Sequence, residues 1–234
     1  MISDILNLIQ SRQSTRLPYD LNHRVAAEDL HQILEAGRWA PTAHNMQNFE
    51  VVAVDDPKIL ETIRSLHYPP SLAFIRENYP QLSFSEEELQ QKKVGVLGTM
   101  FPPSWRNPEV TPDPMEGARP TPPAPLMLFL LYDPSRRAPA SEGDFLGIIS
   151  LGGMVENMWL MAQSLGIAFH IMSTFGSGPA EEDIKKLLNI PVGLKIVFAI
   201  RLGYPAVPSG KTLRVRREVE DFSHHNHYGD KGIV

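Results

Sequence analysis

The chain has 234 residues, 42% of them hydrophobic and 21% charged, an ordinary globular composition that rules out wholesale disorder and suffices for a real core. Its 22 Lys and Arg against 27 Asp and Glu give a formal net charge of -5, which argues against a dedicated nucleic-acid binder. There are no cysteines, so disulfides, thiolate zinc sites and cysteine nucleophiles are excluded. The longest uninterrupted apolar run, Leu126 to Tyr132, is far short of a bilayer span, and residues 1–10 lack the pattern of a signal peptide. The expectation is a cytoplasmic protein with neither a membrane nor a nucleic acid as partner.

Ile2, Ile5, Leu6 and Ile9 recur at helical spacing behind Ser3 as a candidate cap. A second helix runs from about Ala27 to Ala40 and stops at Pro41. Phe49 to Val54 is a buried strand. Asp56-Pro57 caps a helix carrying Ile59, Leu60 and Ile63. Ser85 with Glu88 forms a capping box for a helix with Leu89, Val96, Leu97 and Met100 on one face. Nine of the 21 prolines then fall within 101–125, a stretch that can form neither helix nor central strand. Irregular excursions of this length often serve as lids or binding loops; Phe101, Trp105 and Arg106 here could cover an aromatic substrate. Order resumes with the strand Leu126 to Tyr132. Asp144 to Leu165 is a long helix apolar on most sides, hence central or shared with a second subunit. Ile167 to Met172 is a strand, Glu181 to Leu188 a helix and Lys195 to Leu202 the last core strand. Helices around a few strands, without regular alternation, predict an α+β fold. No internal repeat or separating linker is visible, so 1–234 is read as a single domain with a Pro-rich excursion.

Three segments could carry chemistry. In an extended Arg12-Gln13-Ser14-Thr15-Arg16, Arg12, Ser14 and Arg16 share a side, and two guanidinium forks with a hydroxyl suit a phosphate. Arg214-Val215-Arg216-Arg217 repeats this geometry with Arg214 and Arg216. Ala40-Pro41-Thr42-Ala43-His44-Asn45-Met46-Gln47 offers neutral groups that suit the edge of a polar heteroaromatic ring. Each segment also has a plain structural reading, as a solvated charge run or a self-capped turn. Ser209-Gly210-Lys211-Thr212 has Pro205 where a phosphate-binding loop needs glycine. Gly176-Ser177-Gly178-Pro179 lacks the dinucleotide spacing. His224, His225 and His227 have no carboxylate at a diagnostic spacing, so no metal is expected. Without a protein nucleophile or a metal, an organic cofactor is left to carry any chemistry.

Together these segments resemble the FMN-dependent nitroreductase family. Residues 11–16 are similar to its N-terminal S-R-R-S-x-R, 39–47 to its A-P-S-x-x-N-x-Q-P-W, and Leu187 to Pro191 with Leu202 to Pro205 to its LL-x-I-P … G-Y-P close. Residues 214–217 and 225–228 resemble its basic C-terminal stretch. The resemblance implies a mixed sheet flanked by helices and an obligate-type homodimer with FMN at the subunit interface. By position, Arg12, Gln13, Ser14 and Arg16 would hold the phosphate and ribityl chain, completed by Arg214 and Arg216. Pro41, Thr42, Ala43 and Asn45 of the other subunit would line the isoalloxazine, and Ser177 and Gly178 would lie beside its N5 edge. Asn48-Phe49 replaces the family's Pro-Trp, and Thr42-Ala43 a common Ser-Ser pair. The implied activity passes hydride from NADH or NADPH through FMN to a small electron-poor acceptor, a nitroaromatic or quinone, by a ping-pong cycle. Alternatives are a reductive dehalogenase or flavin-consuming enzyme on the same scaffold, or a non-catalytic FMN-binding protein.

Overall fold

The computed structural model describes residues 2–98, 101–118, 120–139, 143–208 and 213–231. They form two compact units, one from residues 1–68 and 120–209, the other from 69–119 and 210–234.

The first unit is organised around β4 (Leu126–Tyr132), every residue of which is buried. It pairs antiparallel with β1 (Phe49–Val54) and with β6 (Lys195–Gly203), and β6 pairs antiparallel with β5 (Ala168–Met172), giving the order β1-β4-β6-β5. The period of two along β4 divides its side chains between two cores. Leu128 and Leu130 face α2 (Ala27–Arg38) and α7 (Phe145–Ser164), joining Ile33, Leu151, Met154, Met158 and Trp159. Met127, Phe129 and Leu131 join Ile63 of α3 (Pro57–Ser65) and Ile184 of α8 (Gly178–Leu187) on the other face. A strand sealed on both faces needs no polar alternation, which is why β4 is a continuous apolar run. Parallel pairing, expected of a mixed sheet, is confined among the described residues to the Ser14–Phe169 bridge and a two-residue pair in the other unit.

Several local signals act as the sequence predicts. The Asp56 side chain accepts hydrogen bonds from the N–H groups of Lys58 and Ile59 at the start of α3. The helix α1 (Ile2–Ser11) already includes Ser3, which therefore stands inside the first turn and not ahead of it. Gly37 allows α2 to approach α7, since a Cβ there would lie 2.8 Å from Met158 Cγ. Among the described residues α7 alone is long and apolar enough to cross a membrane by length and composition. In this fold it packs Leu151, Met154, Val155, Met158 and Ala162 into the sheet, leaving Phe145, Ile148 and Ile149 exposed.

The second unit contains α4 (Leu72–Glu77), β2 (Ser83–Phe84), α5 (Glu86–Lys92), β3 (Val96–Leu97), α6 (Pro114–Gly117) and α9 (Val219–Phe222). The Ser85–Glu88 capping box forms as expected, but its helix is shorter than the apolar spacing suggested. Lys93 takes a left-handed conformation (φ 55°), and Val96 and Leu97 pair with Ser83 and Phe84 as strand. Met100 lies outside the described residues.

The Pro-rich excursion is also better ordered than its composition implied. Phe101 and Trp105 are buried with Ile75 and Tyr79 in a small core of their own, so they are not free to cover a substrate as anticipated. Tyr79 donates to the Pro102 carbonyl at 2.6 Å. The Arg76 guanidinium donates to the carbonyls of Trp105, Asn107, Pro108 and Val110. A single cation thus satisfies the carbonyls of a segment whose prolines deny it a regular ladder.

Arg76→Met should destabilise this unit by about 1.5–3 kcal/mol, the worth of hydrogen bonds to a charged group. Amide exchange across residues 105–110 should quicken first; unchanged protection there would show that the small apolar core holds the segment without Arg76.

Candidate active site

Arg12 to Arg16 leaves α1 as an extended strand along β5. Ser14 bridges Phe169 in parallel, and the Thr15 N–H donates to the Phe169 carbonyl at 3.0 Å. Thr15 is buried, Ser14 half-buried and Arg16 exposed, the alternation that an extended segment requires. Arg12 is already engaged: its guanidinium lies 4.2 Å over the Trp159 ring, and its Nε is 3.1 Å from Glu156 Oε1. That pair is ionic and off the hydrogen-bond line, so Nε is buried without a hydrogen-bond acceptor. Any anion grip by Arg12 therefore falls to its terminal nitrogens. Trp159 stacks on Phe169 (4.9 Å) and donates from Nε1 to the Gln13 carbonyl at 3.3 Å, pinning the strand to α7.

The turn after α2 carries backbone strain. His44, Asn45 and Gln47 all have left-handed φ values of 45–52°, a conformation that costs a side-chain-bearing residue roughly 1–2 kcal/mol. Besides the turn's own backbone bonds, from the Asn45 N–H to the Thr42 carbonyl and the Met46 N–H to the Ala43 carbonyl, side chains hold it. The Ala43 N–H donates to Ser150 Oγ (3.1 Å), the Gln47 N–H to Thr42 Oγ1 (3.2 Å), and Gln47 Nε2 to Asn45 Oδ1 (3.2 Å). Pro41, His44, Asn45 and Gln47 remain exposed, whereas Asn48 is buried with its Oδ1 unpartnered. Strain of this kind persists where the surroundings over-determine it, and it concentrates at functional sites.

Both segments therefore lean on one helix, the turn through Ser150 and the strand through Glu156 and Trp159. The six residues from Ser150 to Glu156 put these anchor points about 9 Å apart along α7. The arrangement presents neutral donors and acceptors at one end and cations at the other.

Ser177 is extended and exposed, and Gly178 opens α8 with φ 60°, just after the buried Phe175. In the second unit Arg214 and Arg216 are exposed, alternating with half-buried Leu213 and Val215, as the extended reading requires. Arg216 Nη1 donates to the Val215 carbonyl, while Arg217 lies 5.4 Å over the Phe222 ring. Residues 209–212, which include the GKT sequence, lie outside the described residues. Three or more His, Cys, Asp or Glu side chains placed to hold a metal are not found among the described residues. A cavity of about 240 Å³ lies beside α3 and is lined by Arg24, Asp55, Leu60, Arg64, Pro123 and Met127, among others. None of the predicted site residues lines it.

The sequence reading overlooked a buried cation. Arg201 of β6 is fully buried. It donates from Nη1 to His170 Nδ1 (3.1 Å) and from Nη2 to the Pro123 carbonyl (2.7 Å), and sits 4.3 Å under the Tyr19 ring. Its Nε has no acceptor. Burial, with the nearby Arg201 and Arg16 charges, pushes His170 down to about 4, so the imidazole is neutral at physiological pH. Burial pushes the Tyr19 phenol up to about 12. The one trace of this group in the sequence is an arginine inside an otherwise apolar strand.

Ser150 is the polar exception on the buried face of α7, accepting from Ala43 and donating to the Leu146 carbonyl at 2.8 Å. Ser150→Ala should cost about 1–3 kcal/mol, since it leaves the Ala43 N–H without its partner. Chemical denaturation gives the stability change, and faster amide exchange at Ala43 would locate it. Stability equal to wild type would mean that the strained turn does not depend on α7.

Comparison with known proteins agrees with this architecture. The family model described as Nitroreductase family matches residues 9–204. An NADPH-dependent oxidoreductase of Staphylococcus aureus USA300 is 21% identical over 229 residues, 97% of this chain and 75% of that protein. A Bacteroides fragilis nitroreductase with bound FMN superposes with a TM-score of 0.54 at 22% identity, covering 90% of this chain and 94% of its own. Oxidised iodotyrosine deiodinase bound to FMN and 3-iodo-L-tyrosine gives a TM-score of 0.57 at 22% identity, with coverages of 92% and 96%. With a match that takes in both the 12–16 strand and the 41–47 turn, this chain belongs to the nitroreductase family.

Proposed function

We propose that the protein is an FMN-dependent oxidoreductase that uses a nicotinamide to reduce a small electron-poor acceptor. The observation that carries this reading is the joint anchoring of a cationic strand and a strained neutral turn on α7. The donor set fits the cofactor: Ser14 and Arg16 suit its phosphate, and the turn's amides and hydroxyl suit the edge of its ring. Bound FMN would supply the hydride chemistry, accepting from NADH or NADPH and passing on to a nitroaromatic or quinone.

The residues of this chain bind and orient. Arg16, Ser14 and the terminal nitrogens of Arg12 take the phosphate end, with Gln13 in the same strand fixed by Trp159. By the family resemblance alone, Arg214 and Arg216 are further candidates for the phosphate. Pro41, Thr42, Ala43 and Asn45 line the ring from a second subunit, and Ser177 and Gly178 lie along its N5 edge. No side-chain acid–base pair is required. What supports a second subunit is that Phe145, Ile148 and Ile149 of α7 and Ile5, Leu6 and Ile9 of α1 are exposed apolar residues. A shallow groove of about 290 Å³ is lined by Leu8 of α1, Ala36 of α2 and Asn157 and Met161 of α7. Reductive dehalogenation is a second reading, favoured by the likeness to iodotyrosine deiodinase.

The purified protein should be yellow, and NADH or NADPH should bleach it without oxygen. A panel of nitroaromatics, quinones and halogenated phenols should restore the colour with the true acceptor class. A colourless protein that takes up no FMN would refute the reading. In FMN titrations of stripped protein, Arg216→Ala should weaken binding about ten- to a hundredfold, the worth of a charge-assisted bond. Arg217→Ala, whose guanidinium rests on Phe222, should lose little; equal losses would reduce the tail to general electrostatic attraction.

Light scattering should give twice the chain mass at micromolar concentration, and Ile149→Asp should lower it. A stable wild-type monomer would remove the second subunit from the site.

A further inference from the structure

We propose that Glu156 is a positioning residue for anion binding: it holds Arg12 over Trp159 with the terminal edge of the guanidinium presented to the phosphate. The inference rests on the FMN reading above and adds Glu156 to it.

Ser14 and Phe169 are partners in the bridge between the 12–16 strand and β5, so their side chains lie on one face of the sheet. Phe169 packs in the core that holds Leu151, Met158 and Trp159 of α7, which makes this the α7 face. The period of two puts Arg12 and Arg16 on the same side as Ser14. The contact between Arg12 and Trp159 places Arg12 there directly.

The Arg12 guanidinium is gripped from several directions. Its central carbon lies 4.2 Å over the Trp159 ring. That ring is itself held, stacked on Phe169 and bonded to the Gln13 carbonyl. Glu156 Oε1 stands 3.1 Å from Nε. The Arg12 N–H donates to the Leu8 carbonyl at 3.2 Å, which fixes the backbone at the end of α1. Glu156 and Trp159 are three residues apart and share one face of α7, so a single turn of helix supplies both side-chain contacts. Of the three guanidinium nitrogens only Nε is buried without an acceptor. The terminal pair reaches solvent, and no acceptor among the described residues is placed on it.

A carboxylate that meets arginine at its best does so through two parallel hydrogen bonds. Glu156 takes the Nε side alone and off the hydrogen-bond line, so the edge that matches a phosphate is left unused. A mere tie between α1 and α7 would gain more from the bidentate form. Arginine has much rotamer freedom to lose. Held in advance, it loses that freedom on folding and not on binding, which is how preorganisation adds affinity. The Glu156 charge also repels an incoming phosphate. That repulsion acts whether or not Arg12 is present, so a double-mutant cycle removes it.

FMN and riboflavin differ by the phosphate alone, and titrating stripped protein with each separates anion binding from general integrity. Four proteins complete the cycle: wild type, Arg12→Met, Glu156→Gln and the double variant. Arg12→Met should weaken FMN binding about tenfold in the wild-type background. Beside Glu156→Gln it should cost only about two- to threefold, because the guanidinium is no longer ordered before binding. Riboflavin affinity should stay within about twofold in all four. Equal FMN losses in the two backgrounds, nil included, would make Glu156 a bystander and overturn the proposal. A larger loss beside Glu156→Gln would make it a competitor that the phosphate has to displace, which overturns the proposal as well. So would parallel losses of FMN and riboflavin, the mark of a purely structural contact. Each of these leaves the FMN reading intact, whereas wild-type protein that binds neither ligand would overturn both.

Discussion

The packing of α7 against the sheet is the constraint on which the rest of the first unit depends. A twenty-residue helix with apolar side chains over most of its circumference has to be covered, and Leu151, Met154, Val155 and Met158 fill one face of the β1-β4-β6-β5 sheet. Gly37 brings α2 close enough to seal the next side. What distinguishes α7 from a purely structural core helix is its few polar or amphipathic positions. Ser150 holds the 41–47 turn, Glu156 faces Arg12, and Trp159 reaches the Gln13 carbonyl. Burial of the helix and spacing of the two candidate site segments are thus one and the same event.

Energetically unfavourable features are concentrated along this line. Three left-handed side-chain-bearing residues and a fully buried guanidinium each oppose folding, and the apolar burial around β4 and α7 offsets them. Protein interiors gain roughly 25 cal/mol per Å² of apolar surface removed from water, so a well-filled core can carry such local costs. Surface ion pairs contribute little by comparison: Lys93 sits 3.5 Å from both Glu218 and Asp221 with the acids well exposed, a geometry worth at most about 1 kcal/mol.

The second unit follows a different rule. Among its described residues the apolar cluster that reaches the proline-rich segment is small, Ile75, Tyr79, Phe101 and Trp105, too few to order that segment by burial alone. Polar groups make up the deficit, with Arg76 gathering the carbonyls of 105–110 and Tyr79 taking that of Pro102. The excursion is thereby an ordered surface whose aromatic rings point inward.

What the sequence determined by itself was local. The bounds of β1 and β4, the Asp56 cap and the Ser85–Glu88 box follow from alternation, continuous apolarity and side-chain bonds reaching two or three residues. The 12–16 and 41–47 segments were legible as donor sets for the same reason, since residue type and period of two fix what they can offer. The length of α5 was misread because Leu89, Val96 and Leu97 keep helical spacing even though Lys93 has turned left-handed and the strand pairing of β3 prevails. The inward turn of Phe101 and Trp105 was equally hidden, because it depends on Ile75 and Tyr79 more than twenty residues away. Tertiary structure alone decided that Glu156 and Trp159 would occupy Arg12, that Ser150 would hold the strained turn, and that Arg201 would meet His170. Each of these requires a register or a helix rotation that is set by the packing of the whole sheet, and no short-range pattern encodes it.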